Sequence, residues 1–416
     1  MHASRRLFLR SIAPAGCFAA FFRNLEASAG PPEPLNEAYW RLIQREFPLA
    51  EDLVYLNAAN VCPASRLVLD CHQQFLRDFH SNPSFQNRDK YERLQERLRA
   101  KLAAMLGAEP DEVAILRNTS EANNAIVTGL DLKSGDEVLI TDHNHPSNDD
   151  AWRVRSHREG FTVRSVHVPV PPTSRAQLLA GFEQAITPRT KVLSVTHVTN
   201  TTGILYPVRE IATMTRPRGI WLHVDGAQSF GALDFQLRDL GCDSYAASAH
   251  KWLMGPLEAG VLFVRRDHIP QLWPPVVSAG WADDLKGARK FEMLGQRDNP
   301  RLVAMEAAVD FITVIGMPAV EARMRALADY LKRGLSRVVR VRLKTNLEPE
   351  LSAGVIKFSL AGIDTAKAYD TLYERDRLGI AMTSSGDAEG LRFCPHVYNS
   401  FEQLDRAVSA VRELAS

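Results

Sequence analysis

This chain of 416 residues predicts an α/β fold: a large, mixed but mostly parallel sheet flanked by helices, then a smaller α+β C-terminal unit. Three observations carry the prediction. Short apolar runs alternate with helical stretches across the first two thirds of the chain, as in strands joined by crossover helices. The runs end in polar residues, where such a sheet binds its ligands. From Asp310 the pattern changes to a long helical stretch, two apolar runs and a closing helix. The expected organisation is 1–29 a leader, 30–55 an N-terminal segment, 56–309 a large domain and 310–416 a small one.

The leader combines "SRRLFLRS" (Ser4 to Ser11), the apolar run "IAPAGCFAAFF" and the small residues "ASAG". An arginine pair, a short apolar region and a small-residue cleavage site compose an export signal. The stretch resembles a bacterial twin-arginine signal, with Arg5 and Arg6 as the pair and Ala29 as the last residue removed. A periplasmic or otherwise exported protein is expected; the alternative is an N-terminal extension of a cytoplasmic one. The apolar run falls short of the ~20 residues a membrane span needs, so no span is expected.

After the linker "GPPEPLNE", the stretch "NRDKYERLQERLRAKLAAMLG" places Tyr91, Leu94, Leu98, Leu102 and Met105 at three- and four-residue steps. That spacing predicts an amphipathic helix stopped by Gly107. The strand candidates follow in order: "EVAILRN", "DEVLITD", "TVRSVHV", "KVLSVTHV", "GIWLHVD", "SYAASAH" and "AGVLFVRR". In the C-terminal unit they are "GVIKFSL" and "GLRFCPHVYN", with the last helix opening at Ser400.

Composition narrows the function. Fifty Lys and Arg against 49 Asp and Glu leave a net charge of +1, without the basic excess of a nucleic-acid binder. None of the five cysteines forms a CxxC pair, which excludes zinc-knuckle and thioredoxin-like motifs; no metal is expected. One disulfide, Cys62 to Cys71, is open to an exported chain.

The strand ends carry the chemistry. "EVAILRN" runs into "TSEANNAI", where Thr119 and Ser120 open a helix. They either cap it or take part in binding an anion at its N-terminus. "KVLSVTHV" leads to Asn200, "GIWLHVD" ends at Asp225, and "SYAASAH" runs directly into Lys251. An anion-binding turn, an acid at a strand end and a lysine 26 residues later suit pyridoxal phosphate. That cofactor needs an amine for its Schiff base and an acid to keep its ring nitrogen protonated.

From about Val54 onward the chain resembles the class V aminotransferase family of fold-type I pyridoxal-phosphate enzymes. "VYLNAAN", "RNTSEANNAIVTGL", "VTHVTNTTGILYPV", "HVDGAQSFG", "SAHKW" and "LRFCPHVYN" carry the resemblance, in order. It implies that Lys251 forms the Schiff base and that Asp225 holds the ring nitrogen. Gln228 and Asn200 lie near the ring hydroxyl, and Thr119, Ser120, Ser248 and His250 hold the phosphate. His145, with His143 as its rival, covers the open face of the ring. Arg392 clamps the substrate carboxylate, with Asn57 and Asn200 beside the substrate. A homodimer acting on a small amino-acid-type molecule is implied as well.

Three departures shape the expected chemistry. The loop "GIAMTSSGDAEG" lacks the sulfur-accepting cysteine of cysteine desulfurases, and Cys394 sits on the strand instead. Gln296 stands in "GQRD" where epimerase-like relatives carry a threonine that reaches the neighbouring subunit's cofactor. Met382 and Thr383 replace a frequent arginine. The expected activity is transamination or epimerisation through an α-carbanion. The alternatives are β-elimination of the C–S lyase or desulfurase type, or a catalytically inactive member.

Overall fold

The computed structural model describes residues 30–279, 286–383 and 386–416. The expected leader, with Arg5, Arg6 and Ala29, lies outside the described residues.

The chain enters through α1 (Glu37–Gln44), the two-residue β1 (Val54–Tyr55), α2 (Arg66–Ser81) and α3 (Phe85–Leu106). The helix expected from the leucine spacing is α3. Tyr91, Leu98 and Leu102 are buried, and Gly107 caps the helix at φ 66°, a left-handed geometry suited to glycine.

Next come β2 (Val113–Leu116), α4 (Thr119–Gly129), β3 (Glu137–Thr141), α5 (Pro146–Glu159), β4 (Thr162–Val166), α6 (Arg175–Ala185), β5 (Thr190–Thr196), α7 (Val208–Thr215), β6 (Trp221–Asp225), β7 (Ser244–Ser248) and β8 (Gly260–Val264). Their seven-stranded sheet has the order β2-β8-β7-β6-β5-β3-β4. Only β8 runs against the rest. Helices cover both faces, so β2, β3, β6, β7 and β8 are buried throughout and near-continuously apolar. The edge strand β4 instead exposes Thr162 and Arg164, which blunts the edge. Register brings the ligand-facing ends level: Thr196 pairs with Asp225, and Asp225 with Ala246.

The small unit has β9 (Val341–Leu343), β10 (Ile356–Leu360), β12 (Ala381–Thr383) and β13 (Gly390–Phe393) in an antiparallel sheet ordered β12-β13-β10-β9. β11 (Leu378–Gly379) pairs in parallel with β1. Helix α8 (Asn299–Ile315) leads from the large unit, and α9 (Met317–Ser336), α10 (Thr365–Asp376) and α11 (Phe401–Leu414) complete the small one, with Ser400 capping α11.

Packing changes near, but not at, the expected boundaries. Val54 and Leu56 belong to the small core with Leu331, Phe358 and Phe393, because β1 adds itself beside β11. α8 runs unbroken through residue 310, its apolar residues buried with the large core, and bends by 80° into α9. Among the described residues no single helix is long and apolar enough to cross a membrane.

The bridge left open between Cys62 and Cys71 is not formed. Both are buried free thiols with separate neighbours, Tyr398 Oη at 3.8 Å from Cys62 and the Val303 carbonyl at 3.9 Å from Cys71.

Candidate active site

The turn between β2 and α4 is capped by Asn118, whose Oδ1 accepts the Glu121 N–H at 2.9 Å. Neither Thr119 nor Ser120 is the cap, which corrects that alternative and leaves both for other contacts. The Thr119 N–H donates to Ser248 Oγ at 2.8 Å, and the two hydroxyls lie 2.6 Å apart. This joins the start of α4 to the end of β7, while Ser120 stays exposed one residue further on. A β-carbon on Gly260 would sit 2.8 Å from the Asn118 Cα, so only glycine lets β8 pass this turn.

Asp225 is buried at the end of β6. Its Oδ1 accepts the Ala227 N–H at 3.0 Å, and its Oδ2 accepts an Asn123 Nδ2–H at 2.9 Å. Burial pushes the Lys251 ammonium below its usual 10.5; Asp225 opposes this and Arg392 reinforces it. Both effects of burial and Arg392 favour the free amine that a nucleophile and base requires. The turn behind it is tight: Met254 N–H donates to the Lys251 carbonyl and Gly255 N–H to that of Ala249, each at 2.8 Å. Met254 adopts φ 59°, a left-handed conformation that costs a non-glycine residue about 1–2 kcal/mol. Such strain is characteristic of functional turns.

His145 caps α5, its Nδ1 accepting the Ser147 N–H at 3.2 Å. Partial burial, then Lys251, lowers its pKa, with Asp225 acting against them. His143 is buried against Thr202 at 3.1 Å, and its charged neighbours are Asp142, His167 and Asp387. Of the two histidines, His145 is thus the one beside Lys251 and Asp225.

Gln228 is engaged at both ends, donating to the Ala59 carbonyl at 2.9 Å and accepting from Trp252 Nε1 at 2.7 Å. One amide hydrogen remains for a ligand. His250 lines a cavity of about 590 Å³ with Cys62, His72, Asp298 and Arg301. Burial and the adjacent Lys251 hold its imidazole down to about 4. Gln296 accepts from Arg88 of the same chain at 3.2 Å.

Arg392 lies on β13, its guanidinium donating to the Asn200 carbonyl at 2.7 Å and to Asn57 Oδ1 at 2.8 Å. Arg392 Nε, Asn200 Oδ1 and His250 Nδ1 are buried polar atoms with no partner among the described residues.

Asn123 and His223 were not singled out from the sequence, though signals existed. Asn123 follows Thr119 by four residues, on one face of α4, and His223 precedes Asp225 by two, on one face of β6.

A profile described as Aminotransferase class-V matches residues 54–407. The chain belongs to the class V aminotransferase family. It is 32% identical over 333 residues to isopenicillin N epimerase of Streptomyces clavuligerus, covering 76% of this chain and 83% of that protein. It is 27% identical over 425 residues to a probable cysteine desulfurase of Xylella fastidiosa, covering 93% and 97%. Among solved structures, the cystine C–S lyase C-DES, in complex with its product cysteine persulfide, superposes with a TM-score of 0.82 at 24% identity, covering 88% of this chain and 99% of that one. An apo cysteine desulfurase from Thermococcus onnurineus gives 0.80 at 22%, covering 90% and 97%. These likenesses show the fold.

Like its family, this class V enzyme uses pyridoxal phosphate, and the chain's residues fit that cofactor. The three buried polar atoms without partners are groups that a polar ligand would satisfy. Lys251 would hold the cofactor and Asp225 would face its ring nitrogen. The α4 N-terminus with Thr119, Ser120 and Ser248 would take its phosphate.

Proposed function

We propose that this enzyme acts at the α-carbon of an amino acid, or of an amino-acid group within a larger metabolite, by transamination or epimerisation. The observation that carries this reading is Arg392. It is a cation held by Asn57 and Asn200, with a buried donor unspent, and its charge bears on Lys251. A guanidinium so placed suits the two oxygens of an α-carboxylate.

When bound, pyridoxal phosphate supplies the electron sink for a carbanion at the α-carbon. The chain's residues do the rest. Arg392 orients the substrate by its carboxylate. Lys251 Nζ, free of its proton, would take the α-proton; epimerisation then requires a proton delivered to the opposite face of that carbon, and transamination requires Lys251 to deliver the proton away from it. Asp225 would oppose its carboxylate to the ring nitrogen, and His145, whose Nδ1 accepts from Ser147, would have its Nε2–H free to donate.

Persulfide transfer is disfavoured, because the loop from Gly379 to Gly390 has no cysteine and the four described thiols are buried. Burial pushes the Cys71 thiol up to about 12 and raises those of Cys62, Cys242 and Cys394, away from the reactive thiolate. C–S cleavage without persulfide transfer is the second reading, favoured by the likeness to the C–S lyase fold.

A panel of amino acids offered to the holoenzyme separates these readings. Conversion of the cofactor to its amine form supports transamination, and deuterium entering the α-carbon with loss of chirality supports epimerisation. Pyruvate and ammonia from cysteine or cystine would replace both with elimination. Export by the arginine pair and assembly as a homodimer are further parts of the proposal. Cell fractionation of Arg5→Lys, Arg6→Lys and sedimentation of the purified protein test them.

A further inference from the structure

Behind Asp225 stands a chain of side chains that none of the steps above uses. Asn123 Nδ2 donates to Asp225 Oδ2 at 2.9 Å, and His223 Nε2 lies 3.0 Å from Asn123 Oδ1. His223 Nδ1 lies 2.8 Å from Ser244 Oγ, to which Trp221 Nε1 also donates at 2.9 Å. Asn123, His223 and Ser244 are fully buried, each at 0% exposure, so no solvent interrupts the series.

Chemistry fixes its direction. A carboxylate accepts, so Asp225 takes the Asn123 amide N–H and leaves Asn123 Oδ1 facing His223 Nε2, which must donate. The Ser244 oxygen, already accepting from Trp221, then gives its own proton to His223 Nδ1. Nδ1 then accepts, and a neutral imidazole must carry its proton on Nε2. Burial holds the ring at about 4, well below its usual 6.5, so it is neutral at physiological pH. The Nε2–H meets the Asn123 oxygen, which turns the amide NH₂ towards Asp225. With the proton on Nδ1 instead, Nε2 would confront the lone pairs of Oδ1. The amide would then turn over and set its oxygen against a carboxylate.

We propose that His223, held as the Nε2–H tautomer between Ser244 and Asn123, is a positioning residue that aims Asn123, and through it the Asp225 carboxylate, at the cofactor's ring nitrogen. The inference rests on the assignment of Asp225 to that nitrogen. It uses secondary-structure periodicity: His223 and Asp225 share one face of β6, while Asn123 and Thr119 share one face of α4, so ring and phosphate contacts are set by the same two elements.

The first test needs no activity. Nitrogen-15 NMR of histidine-labelled apo protein, with the His223 signals identified by their loss in His223→Gln, should show a neutral Nε2–H ring from about pH 5 to 8. A charged ring or an Nδ1–H tautomer overturns the proposal. The second test titrates apo protein with pyridoxal phosphate. Glutamine places an amide nitrogen near the Nε2 position, whereas asparagine reaches only that of Nδ1. His223→Gln should bind within about threefold of the native protein and His223→Asn about tenfold or more weaker, roughly one hydrogen bond. Equal loss in both variants, with equal falls in their urea midpoints, would reduce His223 to packing and refute the role; so would native affinity in both. Asp225→Ala separates the two levels. If it leaves cofactor affinity unchanged while the native tautomer stands, the assignment of Asp225 fails and the geometry of the relay does not.

Discussion

Replacing Lys357 by methionine should stabilise this protein, and by an amount that depends on pH. Lys357 is a fully buried lysine on β10, opposite Arg392 on β13, so the two side chains share a face of the small sheet. Its Nζ donates to the Gly390 carbonyl at 2.7 Å, and no carboxylate of the described residues lies within ion-pair distance. Burial first, then Arg392 and Lys344, push the amine down to about 7 from 10.5; Cys394 and Glu389 pull weakly the other way. In the unfolded chain the amine returns to its ordinary value. The folded pKa is the lower of the two, so as pH falls from about 10.5 the unfolded state binds the proton first and gains stability relative to the fold. The penalty is complete below about pH 7. At about 1.4 kcal/mol per pH unit it amounts to about 5 kcal/mol. Methionine fills a similar volume but forfeits the Gly390 hydrogen bond, about 1 kcal/mol. The net gain should be about 4 kcal/mol at pH 6, vanish near pH 10, where the penalty has fallen to the ~1 kcal/mol of the lost hydrogen bond, and reverse slightly above it. Urea unfolding of both proteins at pH 6, 8 and 10 measures it. A difference that does not change with pH would show that this amine keeps its ordinary pKa in the fold, and the reasoning would fall.

Lys251→Ala should abolish turnover while leaving the urea midpoint near native. Borohydride reduction of the native holoenzyme followed by peptide mapping should find the cofactor on Lys251, and attachment elsewhere would sink the assignment. Asp225→Asn should still take up cofactor but lose more than about 10³-fold in kcat, at or above the upper half of the ~10²–10⁴ range of a single acid–base group. A rate near native would mean the ring nitrogen pairs with another residue. Arg392→Ala should raise KM by roughly 30- to several-thousand-fold, the ~2–5 kcal/mol of a lost charged partner. Arg392→Lys should recover little of it, because an ammonium cannot make the planar two-pronged contact. Unchanged KM in both variants would redirect the search to substrates without a free carboxylate.

Lys251 and Asp225 were legible because local rules betray them: a strand-end acid, and a lysine in a turn whose surroundings are small or apolar. The large sheet was legible for the same reason, each strand being a short apolar run closed by polar residues. What could not be read depends on pairs distant in sequence. Gln228 meets Ala59 across 169 residues and Arg392 meets Asn57 across 335. Asn118 displaced Thr119 and Ser120 as the cap because an asparagine one residue earlier has the extended backbone a cap needs. The boundary expected at 310 rested on a change of periodicity, which marks a change of secondary structure, whereas α8 keeps its buried surface on the large core to Ile315.

If Arg392 is the carboxylate clamp proposed above, the two bonds that hold it also decide how a substrate's acid group is met. Three stretches of chain converge on that guanidinium: the residue after Leu56, the loop beyond β5, and β13 itself. A long flexible side chain normally gives up about 1.5–2 kcal/mol of rotamer freedom when it is immobilised. Here folding has already taken that loss, so an arriving carboxylate finds a preset anvil instead of a swinging arm. Affinity for the acid is therefore invested partly in β1, whose grip on β11 keeps Asn57 in place. Loosening Val54 and Tyr55 would blunt capture of the carboxylate without altering any group that touches it.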